Sequence, residues 1–183
     1  MERRIDRIVV HYTATPEGRD VTAADVVTWH TDPPPKGRGW SRAGYHFFVR
    51  LSGTVEPIVP LEHVANGVRG FNAHSVHLCY AGGADGRDTR TPAQRETLYR
   101  LIRDMKTRFP QAELCGHRDL AATLCPGFDV RGDWAAHLMA ERRASEPERV
   151  VSGTPMDDPE PEAARGLWAA LVAFLSRITR KEA

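Results

Sequence analysis

The residues best suited to chemistry lie in Leu114-Cys-Gly-His-Arg-Asp-Leu-Ala-Ala-Thr-Leu-Cys-Pro-Gly-Phe128, where His117 and Cys125 stand eight residues apart. Imidazole nitrogen and thiolate sulfur are preferred ligands of zinc, and three protein ligands plus a water make a catalytic zinc. Zinc-finger pairs usually sit about two to five residues apart within one turn. A gap of eight needs a loop that leaves and returns, and Asp119 to Leu124, closed by Pro126-Gly127, is such a loop. The candidate third ligand is His11, at the end of Ile8-Val-Val-His11. A histidine ending an apolar strand is costly to bury unless its ring nitrogens have partners. That partner is a backbone carbonyl or a metal.

The residues alone leave other readings open. Cys125 can be a plain buried thiol, because free cysteine often behaves as a small hydrophobe. It can also be a nucleophile with His117 as its base. His30, His46, His63, His74, His77 and His137 are further histidines that spacing does not exclude. His46 alternates with Tyr45 along an expected strand, so the two should point to opposite faces, with only one toward a site. His137 falls on an amphipathic helix, where packing or surface exposure is expected.

The elements that must position these groups follow from local pattern. Ile8 to Tyr12 reads as a strand buried on both faces. Thr22 caps a short helix over 23–30. Residues 32–39 hold three prolines and two glycines and form an irregular loop. Residues 44–51 and 54–59 read as a hairpin around Ser52-Gly53. Val76 to Tyr80 is another strand. Thr91-Pro-Ala-Gln94 is a capping box with proline at the first helical position. Leu98, Leu101, Ile102, Met105 and Phe109 then form one stripe that ends before Pro110. Glu113 to Cys115 is a last strand and 133–143 a closing helix. The expected fold is α/β, a single mixed central sheet flanked by helices over residues 1–144.

Beyond it, 145–164 reads as an acidic, proline-containing linker. Residues 165–183 read as a C-terminal amphipathic helix, with Leu167, Trp168, Leu171, Phe174, Leu175 and Ile178 on one face. Its basic end offers contact with a membrane or envelope surface through residues 166–181. Docking on the catalytic domain or capping a dimer is the alternative. The longest apolar run, Leu167 to Leu175, is far short of the roughly 20 residues that span a bilayer.

Composition narrows the class. The chain of 183 residues is 41% hydrophobic and 27% charged, an ordinary globular balance. Its 25 basic and 24 acidic residues give a net charge of +1, without the basic excess that nucleic-acid binding usually shows. Three cysteines, Cys79, Cys115 and Cys125, do not make a disulfide framework. The start, Met-Glu-Arg-Arg-Ile-Asp-Arg, is not a secretory signal. Synthesis in a bacterial host cytoplasm is therefore expected, with any action outside dependent on a separate exit route.

Several motifs, in order from about Ile5 to Trp134, resemble one family. They are His11-Tyr-Thr-Ala-Thr15, Gly39-Trp-Ser-Arg-Ala-Gly-Tyr-His-Phe-Phe48, Gly53-Thr-Val55, Gly70-Phe-Asn72, Thr91-Pro-Ala-Gln94, Gly116-His-Arg-Asp119 and Cys125-Pro-Gly127. Together they resemble the zinc-dependent N-acetylmuramoyl-L-alanine amidases of the amidase-2 type, which include phage amidase lysozymes and peptidoglycan recognition proteins. The resemblance implies that His11, His117 and Cys125 bind Zn²⁺. It places Tyr45 beside the metal, and Thr123 where some members carry lysine and catalytic recognition proteins carry threonine. It implies hydrolysis of the amide between the lactyl group of N-acetylmuramic acid and L-alanine in peptidoglycan. Trp40, Phe71, Asn72 and His74, in flanking loops, are candidate substrate contacts. Where many relatives have histidine, Ala65-Asn66-Gly67 has asparagine, which bears on peptide specificity. The expected role is a monomeric phage or prophage endolysin that acts on the periplasmic cell wall after release. A cytoplasmic cell-wall recycling amidase and a non-catalytic peptidoglycan-binding module are the alternatives.

Overall fold

The computed structural model describes residues 3–145. The expected linker beyond Ser145, the helix over 165–183 and its membrane contact through 166–181 lie outside the described residues.

Five strands make one sheet: β1 (Arg7–Tyr12), β2 (Phe47–Val49), β3 (Val55–Pro57), β4 (Ser75–Tyr80) and β5 (Glu113–Gly116). Their order is β3-β2-β4-β1-β5. β1 pairs in parallel with both β4 and β5, β2 pairs in parallel with β4, and only β2 and β3 run antiparallel. The sheet is mixed, as its sequence pattern implies. β1 is central, and Ile8, Val9 and Val10 are fully buried on both faces.

Three helices flank it: α1 (Ala23–Thr31), α2 (Pro92–Arg108) and α3 (Val130–Ser145). Capping boxes start α1, through Thr22 and Asp25, and α2, through Thr91 and Gln94. α2 lays Leu98, Leu101, Ile102 and Met105 on Ile8, Val10, Val76, Leu78 and Tyr80. Each such buried side chain contributes roughly 1.5–3 kcal/mol. Gln94 is fully buried, and its amide donates to the carbonyls of Val49 and Ala81, at 3.3 and 2.9 Å. It pins α2 to the C-terminal ends of β2 and β4. α1 covers the other face, where Val26 packs with Phe48 and Cys79.

This parity decides the site. Side chains alternate along a strand. Val76, Leu78 and Tyr80 go to the α2 face. Cys79 therefore faces α1 with Phe48, and its alternation partner His77 shares that side. On β1, Ile8 and Val10 take the α2 face, which leaves Val9 and His11 for the opposite one.

Two expectations needed correction. The hairpin is shorter than its pattern, with only 47–49 and 55–57 in the sheet. Past Pro57, Ile58 N–H still donates to the His46 carbonyl at 2.9 Å, and the pairing ends there. His46 keeps the alternation of β2, with its N–H donating to the His77 carbonyl at 2.9 Å, but Tyr45 lies ahead of the ladder, so the two are not on opposite faces. The Tyr45 ring lies 5.1 Å from His11 and the His46 ring stacks at 5.8 Å on His77. Both look into the α1 side.

Candidate metal centre

His11 ends the central strand and His117 follows β5 immediately, so both stand at the carboxyl edge of parallel strands. Ligand sites in open α/β sheets favour that edge. The register pairs Val10 with Gly116, which sets His11 and His117 side by side, with ring centroids 4.9 Å apart. The chain then loops out and comes back. Gly116 N–H donates to the Asp119 carboxylate at 2.8 Å, Arg118 N–H to the Cys125 carbonyl at 2.7 Å, and Cys125 N–H to Thr123 Oγ1 at 3.2 Å. These bonds staple the return and deliver Cys125. Tyr80 donates its hydroxyl to the Pro126 carbonyl at 2.7 Å, which fixes the residue after it.

The outcome is a cluster of three ligand atoms, from His11, His117 and Cys125, all within 4.8 Å of one another. His11 Nδ1 lies 3.8 Å from Cys125 Sγ. Two ligands of one tetrahedral zinc, at about 2.0 Å for nitrogen and 2.3 Å for sulfur, lie roughly 3.6 Å apart. The donor set and spacing fit zinc. His11 is 1% exposed and Cys125 4%. Burial first, then the neighbouring imidazoles of His77, His117, His30 and His46, hold His11 well below the ordinary histidine value. Burial lowers His117 as well. Both rings are neutral at pH 7, with a lone pair free to ligate.

Burial pushes the Cys125 thiol up to about 12, against the lowering effect of the Tyr12 N–H, which donates to Sγ at 3.3 Å. This is a protonated thiol that a cation must ionise, as metal ligation does.

Tyr45 is half-buried next to the cluster. Its hydroxyl lies 3.5 Å from the Tyr12 carbonyl and also hydrogen-bonds the Cys79 thiol. Burial, followed by the charges that Cys79 and Cys125 can carry, raises its pKa well above the ordinary tyrosine value. It therefore stays a proton donor. Thr123 is half-buried, its oxygen accepts from the Cys125 amide, and its side chain also hydrogen-bonds the Tyr12 phenol.

Trp40 stacks on His30 at 4.9 Å with 21° between planes, and His30 meets Tyr45 edge-on at 5.3 Å. An aromatic wall thus runs from the cluster outward. Phe71 lies on the same face of the sheet, packed with Val9, Val68 and Cys115. Asn72 and His74 are not brought to the cluster. They precede β4, whose first residue Ser75 pairs with Arg7, four strand positions before His11 and roughly 13 Å away. The Asn72 side-chain oxygen Oδ1 accepts from Val68 N–H at 2.6 Å, and His74 Nδ1 sits 3.1 Å from the Arg4 carbonyl. Asn66 donates to the Arg42 carbonyl at 2.9 Å. His137 packs on Tyr99 at 3.8 Å, far from chemistry on α3.

His30 and His77 are the neighbours that spacing could not select. A signal for His77 does exist: it interrupts the apolar strand Val76 to Tyr80 in phase with Cys79, on the face that carries His11.

A His–His–Cys cluster at the edge of a mixed sheet, with a phenol beside it, is a candidate metal site of the kind hydrolases use. A family model described as N-acetylmuramoyl-L-alanine amidase matches residues 1–128. The chain is 36% identical over 132 residues to the endolysin of Klebsiella phage KP32, covering 70% of this chain and 84% of that protein. Among solved structures it resembles the Ph2119 endolysin from Thermus scotoductus MAT2119 bacteriophage Ph2119, with a TM-score of 0.64 and 28% identity over 73% of this chain and 84% of that one. It also resembles the N-acetylmuramoyl-L-alanine amidase LysC from Clostridium intestinale URNW, with a TM-score of 0.64 and 27% identity over 75% and 87%. The chain belongs to the N-acetylmuramoyl-L-alanine amidase family. Its activity is that of a peptidoglycan amidase of the phage endolysin kind.

Proposed function

We propose that His11, His117 and Cys125 hold Zn²⁺ and that the chain uses it to cut the amide between the lactyl group of N-acetylmuramic acid and L-alanine. When bound, zinc supplies a Lewis acid that polarises a carbonyl and brings the pKa of water toward about 7. The protein supplies the rest. Cys125 contributes a negative ligand, so the site carries less positive charge than three histidines would give. Tyr45 offers a preorganised O–H to the oxygen on which charge develops as the amide carbon becomes tetrahedral, the kind of contact that lowers such barriers most. Thr123 can add a second O–H from the loop that carries Cys125. It has no charge to add, so the larger share falls to the metal and Tyr45.

Trp40, held flat by His30, is placed to stack on a sugar face. Phe71 offers apolar surface on the same side of the sheet. The wall substrate lies beyond the cytoplasmic membrane, and among the described residues no helix is long and apolar enough to cross one. The proposal is that the enzyme reaches the periplasmic wall after release by another agent.

The observation that carries this reading is the approach of the three ligand atoms to within 4.8 Å. The test is substitution: His11→Ala and Cys125→Ser should each abolish both bound zinc and wall hydrolysis. A variant that loses zinc yet keeps its turnover would refute it.

A further inference from the structure

The strand beside His11 carries a second buried imidazole that the reaction does not require as a ligand. His77 is fully buried on β4, and its Nδ1 lies 3.0 Å from Nε2 of His11. The other nitrogen of His11, Nδ1, is the one that faces Cys125 Sγ. A neutral imidazole carries one N–H. If Nδ1 of His11 offers its lone pair to a cation, the proton sits on Nε2 and needs an acceptor. His77 Nδ1 is that acceptor, so the His77 proton must sit on its own Nε2.

The surroundings impose the same pattern one step further out. The His77 backbone N–H donates to Nδ1 of His46 at 2.9 Å, which makes that nitrogen an acceptor. The His46 proton is then on Nε2, where the His63 carbonyl accepts it at 3.1 Å. Arg3 comes within 3.3 Å of the same nitrogen, but that guanidinium nitrogen also reaches the carbonyls of Leu61 and His63, which can accept from it. The tautomers of the three rings are therefore mutually consistent.

Two observations argue that His77 is not simply filling space. Among the described residues its Nε2 has no hydrogen-bond partner, although it is buried. An unsatisfied buried donor costs about 1–3 kcal/mol, so an apolar side chain would serve packing better. Room has also been left for the ring. A Cβ at Gly67 would fall 2.5 Å from His77 Nδ1 and 2.8 Å from the Gly44 carbonyl oxygen. Any side chain at 67 would push the imidazole off His11.

We propose that His77 is a positioning residue of the metal centre. It accepts the Nε2–H of His11 and holds that ring in the tautomer and orientation that present Nδ1 to a divalent cation, and Gly67 keeps its place open. The proposal rests on the reading of His11, His117 and Cys125 as zinc ligands. Partners of this kind on ligand histidines typically change metal affinity by about 10–100-fold when removed.

The test uses the full chain and Zn²⁺, with competition against a chromophoric chelator to read affinity, and thermal unfolding of the metal-free protein to read packing. His77→Leu should weaken zinc by about 10–100-fold, with metal-free stability at or above that of the wild type. His77→Asn, whose side-chain oxygen can sit where Nδ1 was, should restore most of the affinity. His77→Gln, whose polar atoms reach one bond further, should restore less. That Asn-over-Gln order carries the test even if the leucine variant folds poorly. Wild-type affinity in His77→Leu, or equal affinity in the Asn and Gln variants, would overturn the positioning role alone. A wild-type protein that binds no zinc would overturn the metal reading, and this proposal with it.

Discussion

A methyl group added at Gly116 should damage the metal site more than the fold. Gly116 sits between β5 and His117, with φ −91° and ψ 163°, an extended conformation open to any residue. Substitution there therefore introduces no backbone strain, only a Cβ. That Cβ would fall 2.7 Å from Pro126 Cδ, 3.2 Å from Val130 Cγ2 and 3.3 Å from Pro126 Cγ. Ordinary contact begins at 3.4 Å, so the proline must retreat by about 0.7 Å. Pro126 is covalently next to Cys125, and Gly116 next to His117, so the retreat opens the gap between two ligands. Overpacking of this kind costs about 1–3 kcal/mol. A displacement approaching 1 Å in a catalytic array can cost on the order of 100-fold in rate. Gly116→Ala should thus lower the melting temperature by a few degrees, weaken zinc by about 10-fold or more and cut kcat/KM by about 100-fold. Gly132→Ala is the control, because its Cβ would meet chiefly the movable Asp129 carboxylate. Chelator competition, thermal unfolding and release of soluble fragments from purified walls read the three effects. Wild-type zinc affinity and turnover in Gly116→Ala would refute the claim that close packing of 116 on 126 sets the ligand spacing.

Other outcomes follow from the same geometry. Tyr45→Phe should keep zinc and lower kcat by about 100–1,000-fold, the usual loss for one oxyanion donor; metal analysis with steady-state kinetics checks this, and an unchanged kcat removes Tyr45 from the chemistry. Arg90 is 1% exposed at its side chain, between Asp88 at 2.9 Å and Asp133 at 3.0 Å. Arg90→Ala should cost about 3–5 kcal/mol in denaturant unfolding, because two carboxylates lose their buried partner. The His46 imidazole, buried, is held down at about 4 against an ordinary 6.5. Its neutral form is favoured by folding, so the contribution is full above pH 6.5 and is lost as pH falls toward 4, by up to about 3 kcal/mol. His46→Asn keeps an acceptor for the His77 amide and does not titrate; its stability should fall less steeply over that window, and an unaltered slope would contradict the assignment.

Residue types and spacing offered His11, His117 and Cys125 as candidates without excluding the other histidines, and the family resemblance made the choice among them. His11 closes an apolar strand, and the return loop to Cys125 is marked by Pro126-Gly127. The long stripe of α2 and its capping box were equally plain. What escaped depended on contacts between distant segments. Tyr45 lies ahead of the ladder, so the alternation that places His46 does not govern it. α3 begins three residues before Asp133 because Asp129 accepts the Arg131 N–H at 3.2 Å; Gly132 masked that start. Asn72 reads as a substrate contact from its motif, and the bond its Oδ1 accepts from the Val68 amide at 2.6 Å is one that no local pattern announces. His77 acquires a role only through the parallel pairing of β1 with β4, which no local pattern announces.

The central claim is that this cluster uses zinc to release stem peptides at L-alanine. Mass spectrometry of purified peptidoglycan after digestion, with a zinc assay on the same enzyme sample, tests it most directly. The account predicts free stem peptides beginning at L-alanine, one zinc per chain, loss of both on chelation and return of both with added Zn²⁺. Full release of those peptides by metal-free protein, or cleavage at a different bond, would contradict it.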